Sequence, residues 1–129
     1  MAKRIPILVV DDDSEFQELV EYNLRLAGFE VLQALNGPDG LEMARKEKPE
    51  VILLDTTMPE MDGLEVLSEL KHDSRTEKIP VFMLTGKTMV GDVERAFEVG
   101  ADDYITKPVK LMELGKIIKG KLKKLAEKA

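Results

Sequence analysis

Ile5-Pro6-Ile7-Leu8-Val9-Val10-Asp11-Asp12-Asp13-Ser14 runs from six apolar residues straight into three carboxylates. A stretch that is apolar at every position, without polar alternation, reads as a strand buried on both faces, as interior strands of parallel sheets are. Four further runs follow: Phe29-Glu30-Val31-Leu32-Gln33-Ala34, Val51-Ile52-Leu53-Leu54, Val81-Phe82-Met83-Leu84 and Asp103-Tyr104-Ile105. The third and fourth are apolar throughout like the first. The second is mixed, which suits an edge, and the fifth is short. Between the runs the apolar period changes to 3.6. Phe16, Leu19, Val20, Asn23, Leu24 and Ala27 share one helical face, with Ser14 and Gln17 predicted as a capping box and Gly28 as the stop. Pro38 suits the first turn of a second helix, which must end before Pro49. Asp62 and Glu65 open a third helix carrying Leu64, Leu67 and Leu70. Val90, Val93 and Phe97 line a fourth, closed by Gly100. Leu111, Leu114, Ile118, Leu122 and Leu125 line a fifth.

Strict strand–helix alternation predicts an α/β fold: a doubly wound five-stranded parallel sheet with helices on both faces and right-handed crossovers. Such a sheet carries its ligand site at the carboxyl ends of the strands, near the point where strand order reverses. The residues found there are Asp11, Asp12 and Asp13 after the first run, Asp55 after the third, Thr85 after the fourth, and Thr106, Lys107 and Pro108 after the fifth. The second run is followed by Leu35 and Asn36, which offer nothing reactive. Taken singly, each has an ordinary explanation: Asp13 as a helix cap, Thr85 as a β-branched strand residue, Lys107 as a surface lysine. Taken together, they put carboxylates, a hydroxyl and a cation on one edge.

Asp11, Asp12 and Asp55 in proximity would carry a charge of −3, which needs compensation. Lys107 supplies one positive charge and a divalent cation would supply two. Carboxylate oxygens without His or Cys favour Mg²⁺, with Mn²⁺ as an alternative, over zinc. A site with such a cation, a lysine and a hydroxyl suits the equatorial oxygens of a phosphoryl group.

Composition narrows the field further. The 129 residues are 43% hydrophobic and 34% charged, which fits one globular domain spanning 1–129. With no cysteine and one histidine, His72, a disulfide framework, a thiolate zinc site, a cysteine nucleophile and a histidine cluster are excluded. The apolar runs are far too short to cross a bilayer, and the start lacks a signal peptide's apolar stretch. A cytoplasmic location with no membrane partner is expected. The net charge is −6, yet residues 105–129 carry +6 through eight lysines, leaving −12 on residues 1–104. An acidic body is not expected to bind nucleic acid directly. The lysine-rich end reads as a solvated helix face.

Four segments together resemble the receiver domains of response regulators in two-component signalling, of the chemotaxis-regulator type. They are Ile7-Leu8-Val9-Val10-Asp11-Asp12-Asp13, Leu53-Leu54-Asp55-Thr56-Thr57-Met58-Pro59-Glu60-Met61-Asp62-Gly63, Met83-Leu84-Thr85-Gly86, and Gly100-Ala101-Asp102-Asp103-Tyr104-Ile105-Thr106-Lys107-Pro108. The likeness spans about Arg4 to Leu125. It implies a flavodoxin-like (βα)5 fold with strand order 2-1-3-4-5. It implies that Asp55 is the phosphoacceptor, taking a phosphoryl group from the phosphohistidine of a sensor histidine kinase or phosphotransfer protein. It further implies Mg²⁺ held by Asp12 and Asp55, by Asp11 largely through water, and by the backbone carbonyl of Thr57. Thr85 and Lys107 would each contact a phosphoryl oxygen, and the Lys107–Pro108 bond would be cis. Thr85 and Tyr104 would act as the switch, altering the face made by the fourth helix, fifth strand and fifth helix for an output protein. Such a chain takes part in its own phosphorylation and dephosphorylation and is not an enzyme acting on a separate substrate.

The sequence departs from that family's habits in places. Val109 follows Lys-Pro where Phe is frequent, and Gly86 follows Thr85 where Ala is common. Thr56 and Thr57 follow Asp55 where an apolar and a varied residue are usual. Thr57 and Lys87 hold the positions that flank the in-line approach. A haloacid-dehalogenase-like phosphatase would require an Asp where Thr57 stands. A flavodoxin would have its cofactor's phosphate repelled by Asp11-Asp12-Asp13. A degenerate receiver that works by contact alone is the remaining alternative. Met58 and Met61 read as loop packing, and His72 as an exposed residue near the end of the third helix. No output domain follows the fifth helix, so the sequence is a stand-alone receiver or a piece of a longer protein.

Overall fold

A computed structural model describes residues 3–56, 58, 61–86 and 90–128, with the backbone alone at 90–92. The elements alternate as predicted: β1 (Ile5–Val10), α1 (Ser14–Leu26), β2 (Phe29–Ala34), α2 (Gly37–Glu47), β3 (Val51–Asp55), α3 (Gly63–Lys71), β4 (Val81–Gly86), α4 (Val90–Val99), β5 (Asp103–Lys107) and α5 (Leu111–Lys128). All strand pairings are parallel, and the sheet order is β2-β1-β3-β4-β5.

Alternation along each strand divides the core in two. Leu8, Val10, Ile52, Leu54, Val81 and Met83 point to one face and pack with α2, α3 and α4. Ile7, Val9, Val51, Leu53, Phe82 and Leu84 point to the other and pack with α1 and α5. Burial on both faces explains why these three strands are apolar at nearly every position. β2, at the sheet edge, keeps Glu30 exposed. The first two runs match β1 and β2, whereas the last three end one or two residues short of the strands: Asp55, Thr85, Gly86, Thr106 and Lys107 are terminal strand residues rather than loop residues.

The capping box at Ser14 and Gln17 is not formed. α1 is capped one residue earlier, where the Asp13 carboxylate accepts from the Phe16 amide at 3.1 Å. Gln17 is buried, and its amide nitrogen donates to the carbonyls of Val9, Asp11 and Ala34. A carboxylate cap also complements the helix dipole, which favours Asp13 over Ser14. The buried stripe of α1 is therefore Gln17, Val20 and Leu24. Leu19, predicted on that face, is 54% exposed, beside Tyr22 and Leu26, also exposed. Phe97 likewise lies largely outside the core of the sheet, at 45% exposure, while Ala96 is the buried side chain of α4 among the described residues.

Other local signals hold. Gly28 and Gly100 follow α1 and α4 with φ of 97° and 123°, in the left-handed region that side chains avoid. Pro38 lies in the first turn of α2, and Asp62 caps α3 by accepting from the Glu65 amide. His72 is the exposed C-cap of α3. Met58 is buried and Met61 packs on the same cluster. The lysines of the last segment divide. Lys119 donates to the Ala27 carbonyl at the end of α1, and Lys121 pairs with Asp103 at 3.0 Å. Lys116, Lys123, Lys124 and Lys128 are exposed. No helix among the described residues is long and apolar enough to cross a membrane.

Candidate functional site

β2-β1-β3 is where strand order reverses, so the crevice beyond β1 and β3 is the expected ligand position. Asp11 follows β1 directly. Its amide donates to Ala34 O at 3.1 Å, and its Oδ1 accepts from the Asp13 amide at 3.0 Å. Only 1% of Asp11 is exposed. Asp55 ends β3 and is buried, whereas Asp12 is exposed. Asp11, Asp12 and Asp55 each place a carboxylate oxygen within 4.8 Å of the other two.

The backbone beneath Asp55 is clamped. The Thr56 amide donates to Leu84 O at 3.1 Å, and the Gly63 amide to Thr56 O at 3.1 Å. A Cβ on Gly63 would lie 2.2 Å from the Asp55 carbonyl oxygen. The first turn of α3 therefore rests on the phosphoacceptor candidate's own backbone, an approach that only glycine allows.

The cation arrives from β5. Lys107 Nζ is 3.7 Å from Asp11 Oδ2 and 3.7 Å from Asp55 Oδ1, and 5.0 Å from the centroid of the Phe16 ring. Burial pushes the Asp11 carboxyl above the usual carboxylate range. The Asp13 amide and Lys107 oppose that shift, and the charges of Asp12 and Asp13 reinforce it. Asp11 Oδ2 is buried and, among the described residues, has no hydrogen-bond partner. An unsatisfied buried carboxylate oxygen is costly, so something positive is called for there. Three clustered carboxylates without nitrogen or sulfur donors fit a hard divalent cation. The carboxylate part of the donor set expected for Mg²⁺ is thus consistent with the structure.

Thr85 is buried at the end of β4, and its hydroxyl donates to Gly86 O at 3.3 Å. Tyr104 lies outside the acidic cluster. It is 39% exposed, with its ring edge-on to Phe97 at 6.0 Å and 83°. The Lys107–Pro108 bond is cis. Thr57 and Lys87 lie outside the described residues. The structure brings Asp11, Asp12, Asp55 and Lys107 together and sets Thr85 on the next strand end. Phe16, Gln17 and Gly63 were given no site role by the sequence reading. The glycine eight residues after Asp55 was a signal available for the last.

Comparison with known proteins gives concordant matches. The family model for the response regulator receiver domain matches residues 7–119. The DNA-binding dual master transcriptional regulator RpaA of Synechocystis is 43% identical over 84% of this chain and 45% of its own length. The alkaline phosphatase synthesis transcriptional regulatory protein PhoP of Bacillus subtilis is 39% identical over 92% and 48%. The chain spans about half the length of these curated relatives. Among solved structures, the chemotaxis response regulator CheY4 of Vibrio cholerae superposes with a TM-score of 0.86 at 30% identity, covering 92% of this chain and 99% of that one. A CheY-like receiver domain protein of Methanospirillum hungatei gives 0.87 at 29% identity, covering 98% and 100%.

Proposed function

The chain belongs to the response regulator receiver domain family, and on that premise we propose that Asp55 accepts a phosphoryl group from a phosphohistidine on a sensor histidine kinase or phosphotransfer protein. An Asp55 oxygen attacks phosphorus in line, an O–P bond forms, the N–P bond breaks, and its electron pair returns to the imidazole. The observation that carries this reading is the clustering of the Asp11, Asp12 and Asp55 carboxylates, with Asp11 Oδ2 buried and without a hydrogen-bond partner among the described residues and with Lys107 at the edge. Asp12 and Asp55 would hold Mg²⁺ or Mn²⁺, with Asp11 and the Thr57 carbonyl assisting. When bound, the ion offsets carboxylate charge and polarises a phosphoryl oxygen. Lys107 pairs with a second oxygen and the Thr85 hydroxyl donates to a third. The degenerate alternative would not need this set to be complete. Incubation with acetyl phosphate and Mg²⁺, read by intact mass, tests the proposal. One phosphoryl adduct that chelation prevents is the expected result; no adduct from acetyl phosphate or a histidine kinase would refute it.

The consequence of phosphorylation follows from charge. An acyl phosphate adds about −1.5 to −2 and three strong acceptors. Thr85 can reach them only by giving up its contact with Gly86 O, and Tyr104 can turn inward only by leaving Phe97. Moving a 1:99 population to 99:1 needs about 5.5 kcal/mol of differential stabilisation, within reach of several charge-assisted contacts together. The α4-β5-α5 face is then the output surface for a partner protein. Lys107→Ala is expected to remain able to accept phosphate while losing the chemical-shift changes around Tyr104 and α5. Persistence of those changes would remove Lys107 from the coupling.

The exposed stripe Leu19, Tyr22 and Leu26 gives the phosphodonor protein a surface. α1 starts at the rim of the acidic cluster, and three large apolar side chains on one outer face exceed the isolated exposures that soluble proteins show. Leu19→Ser with Tyr22→Ser is expected to slow transfer from a histidine kinase that phosphorylates the wild type by roughly tenfold or more. Labelling by acetyl phosphate, which needs no docking, should stay within about twofold. Equal loss with both donors would show that the substitutions damage the site instead.

A further inference from the structure

We propose that Phe16 is a positioning residue for Lys107, its ring holding the ammonium at the mouth of the acidic cluster before a phosphoryl group arrives. The inference rests on the reading of Asp55 as phosphoacceptor and adds a residue that neither the motifs nor the metal-binding set includes.

The lysine needs such a support. Its side chain is 37% exposed, so burial does not fix it. Its two carboxylate neighbours both stand at 3.7 Å, longer than the ~2.7–2.9 Å of a seated ammonium–carboxylate hydrogen bond. The ammonium is ion-paired with Asp11 and Asp55 at a distance too long for a hydrogen bond to the printed oxygens, and among the described residues the Phe16 ring also lies against it, 5.0 Å away. An ammonium over an aromatic face is attracted by the ring quadrupole and keeps its hydrogens free for another acceptor. That is the state in which a phosphoryl oxygen can be met without first breaking a hydrogen bond.

The ring is better fixed than the lysine. Phe16 lies in the first turn of α1, its amide bonded to the Asp13 cap at 3.1 Å. Its side chain packs on the core between the sheet and α5. On its other side, Phe16 and Lys107 border an open cleft with Gly86, Pro108, Val109 and Leu111. Without the ring, the lysine's several rotamers would extend into that cleft. A lysine ordered in advance costs less to order when the ligand binds.

Beryllofluoride with Mg²⁺, titrated by NMR, provides the test as a stand-in for the phosphoryl group. In the wild type, the Lys107 ε-methylene protons should be shifted upfield by the ring, before any ligand is added. Phe16→Leu should abolish that shift and weaken beryllofluoride binding by about two- to fivefold, the range expected of an exposed cation–π contact. Phe16→Tyr, which keeps an aromatic face, should restore both. In a Lys107→Ala background, Phe16→Leu should have no further effect, whereas a purely structural role would weaken binding in both backgrounds. Unchanged or tighter binding in Phe16→Leu, an unshifted lysine in the wild type, or equal losses in the two backgrounds would overturn the inference alone. Failure of the wild type to bind beryllofluoride at all would overturn the phosphoacceptor reading and this inference with it.

Discussion

Asp55→Asn is expected to abolish phosphoryl transfer to this chain, lowering the rate by roughly a thousandfold or more with either acetyl phosphate or a histidine kinase. The amide oxygen of Asn is a poor nucleophile and forms no stable acyl phosphate. The neighbours do not substitute for it. Asp11 is buried, with one oxygen engaged by the Asp13 amide and the other directed toward Lys107. Asp12 is exposed on the loop beyond β1 rather than clamped at a strand end. The fold itself should survive, because the replacement is isosteric and removes one of three clustered negative charges. Thermal unfolding should therefore occur at the wild-type temperature or slightly above it. Intact-mass measurement after acetyl phosphate treatment decides the point; labelling equal to wild type would assign the phosphoacceptor elsewhere.

Gly63→Ala is expected to produce the largest loss of stability of any single methyl addition considered, about 1–3 kcal/mol. The added Cβ would lie 2.2 Å from the Asp55 carbonyl oxygen and 2.7 Å from Thr56 Cα. Backbone atoms at a strand end cannot rotate away as a side chain would. Either α3 withdraws, breaking the Gly63 amide bond to Thr56 O, or the end of β3 shifts and Asp55 shifts with it. Both routes couple stability to chemistry, so the variant should also label more slowly with acetyl phosphate at a temperature where it remains folded. Gly120→Ala is the matched control: nothing lies within 4 Å of a Cβ there, and helix propensity favours Ala by up to about 1 kcal/mol. Chemical denaturation of the two variants measures the difference. Equal stability of Gly63→Ala and wild type would show that the α3 start is free to move off Asp55.

The sheet was legible in the sequence because β1, β3 and β4 are buried on both faces and so spell their burial in nearly unbroken apolar runs. Convergence of Asp11, Asp12, Asp55 and Lys107 followed from one topological rule about parallel sheets, without knowing any side-chain position. The order of the strands came from the family resemblance, since apolar patterning does not say which strand neighbours which. Finer features escaped for physical reasons. Apolar periodicity assigns Leu19 and Val20 alike to the core, yet the buried stripe is completed by Gln17, whose amide satisfies three carbonyls where β1 and β2 end. Ser14 and Asp13 are both good caps, and local pattern alone does not rank them as the dipole does. Phe16 and Lys107 meet only through the tertiary fold, so their contact left no mark in either local sequence. Tyr104 was placed at β5 correctly, but its edge-on packing with Phe97 depends on α4, where the 3.6 period had set Phe97 on the lining face although its side chain is exposed.

A crystal structure of this chain with Mg²⁺ and beryllofluoride bound would show whether Asp55 is the phosphoacceptor. Phosphoryl acceptance by Asp55 requires beryllium bonded to an Asp55 oxygen, the metal ion in contact with Asp12 and Asp55, and the fluorines within hydrogen-bonding distance of Lys107 Nζ and the Thr85 hydroxyl. Beryllofluoride on another carboxylate, or a metal ion outside the triangle of Asp11, Asp12 and Asp55, would contradict it.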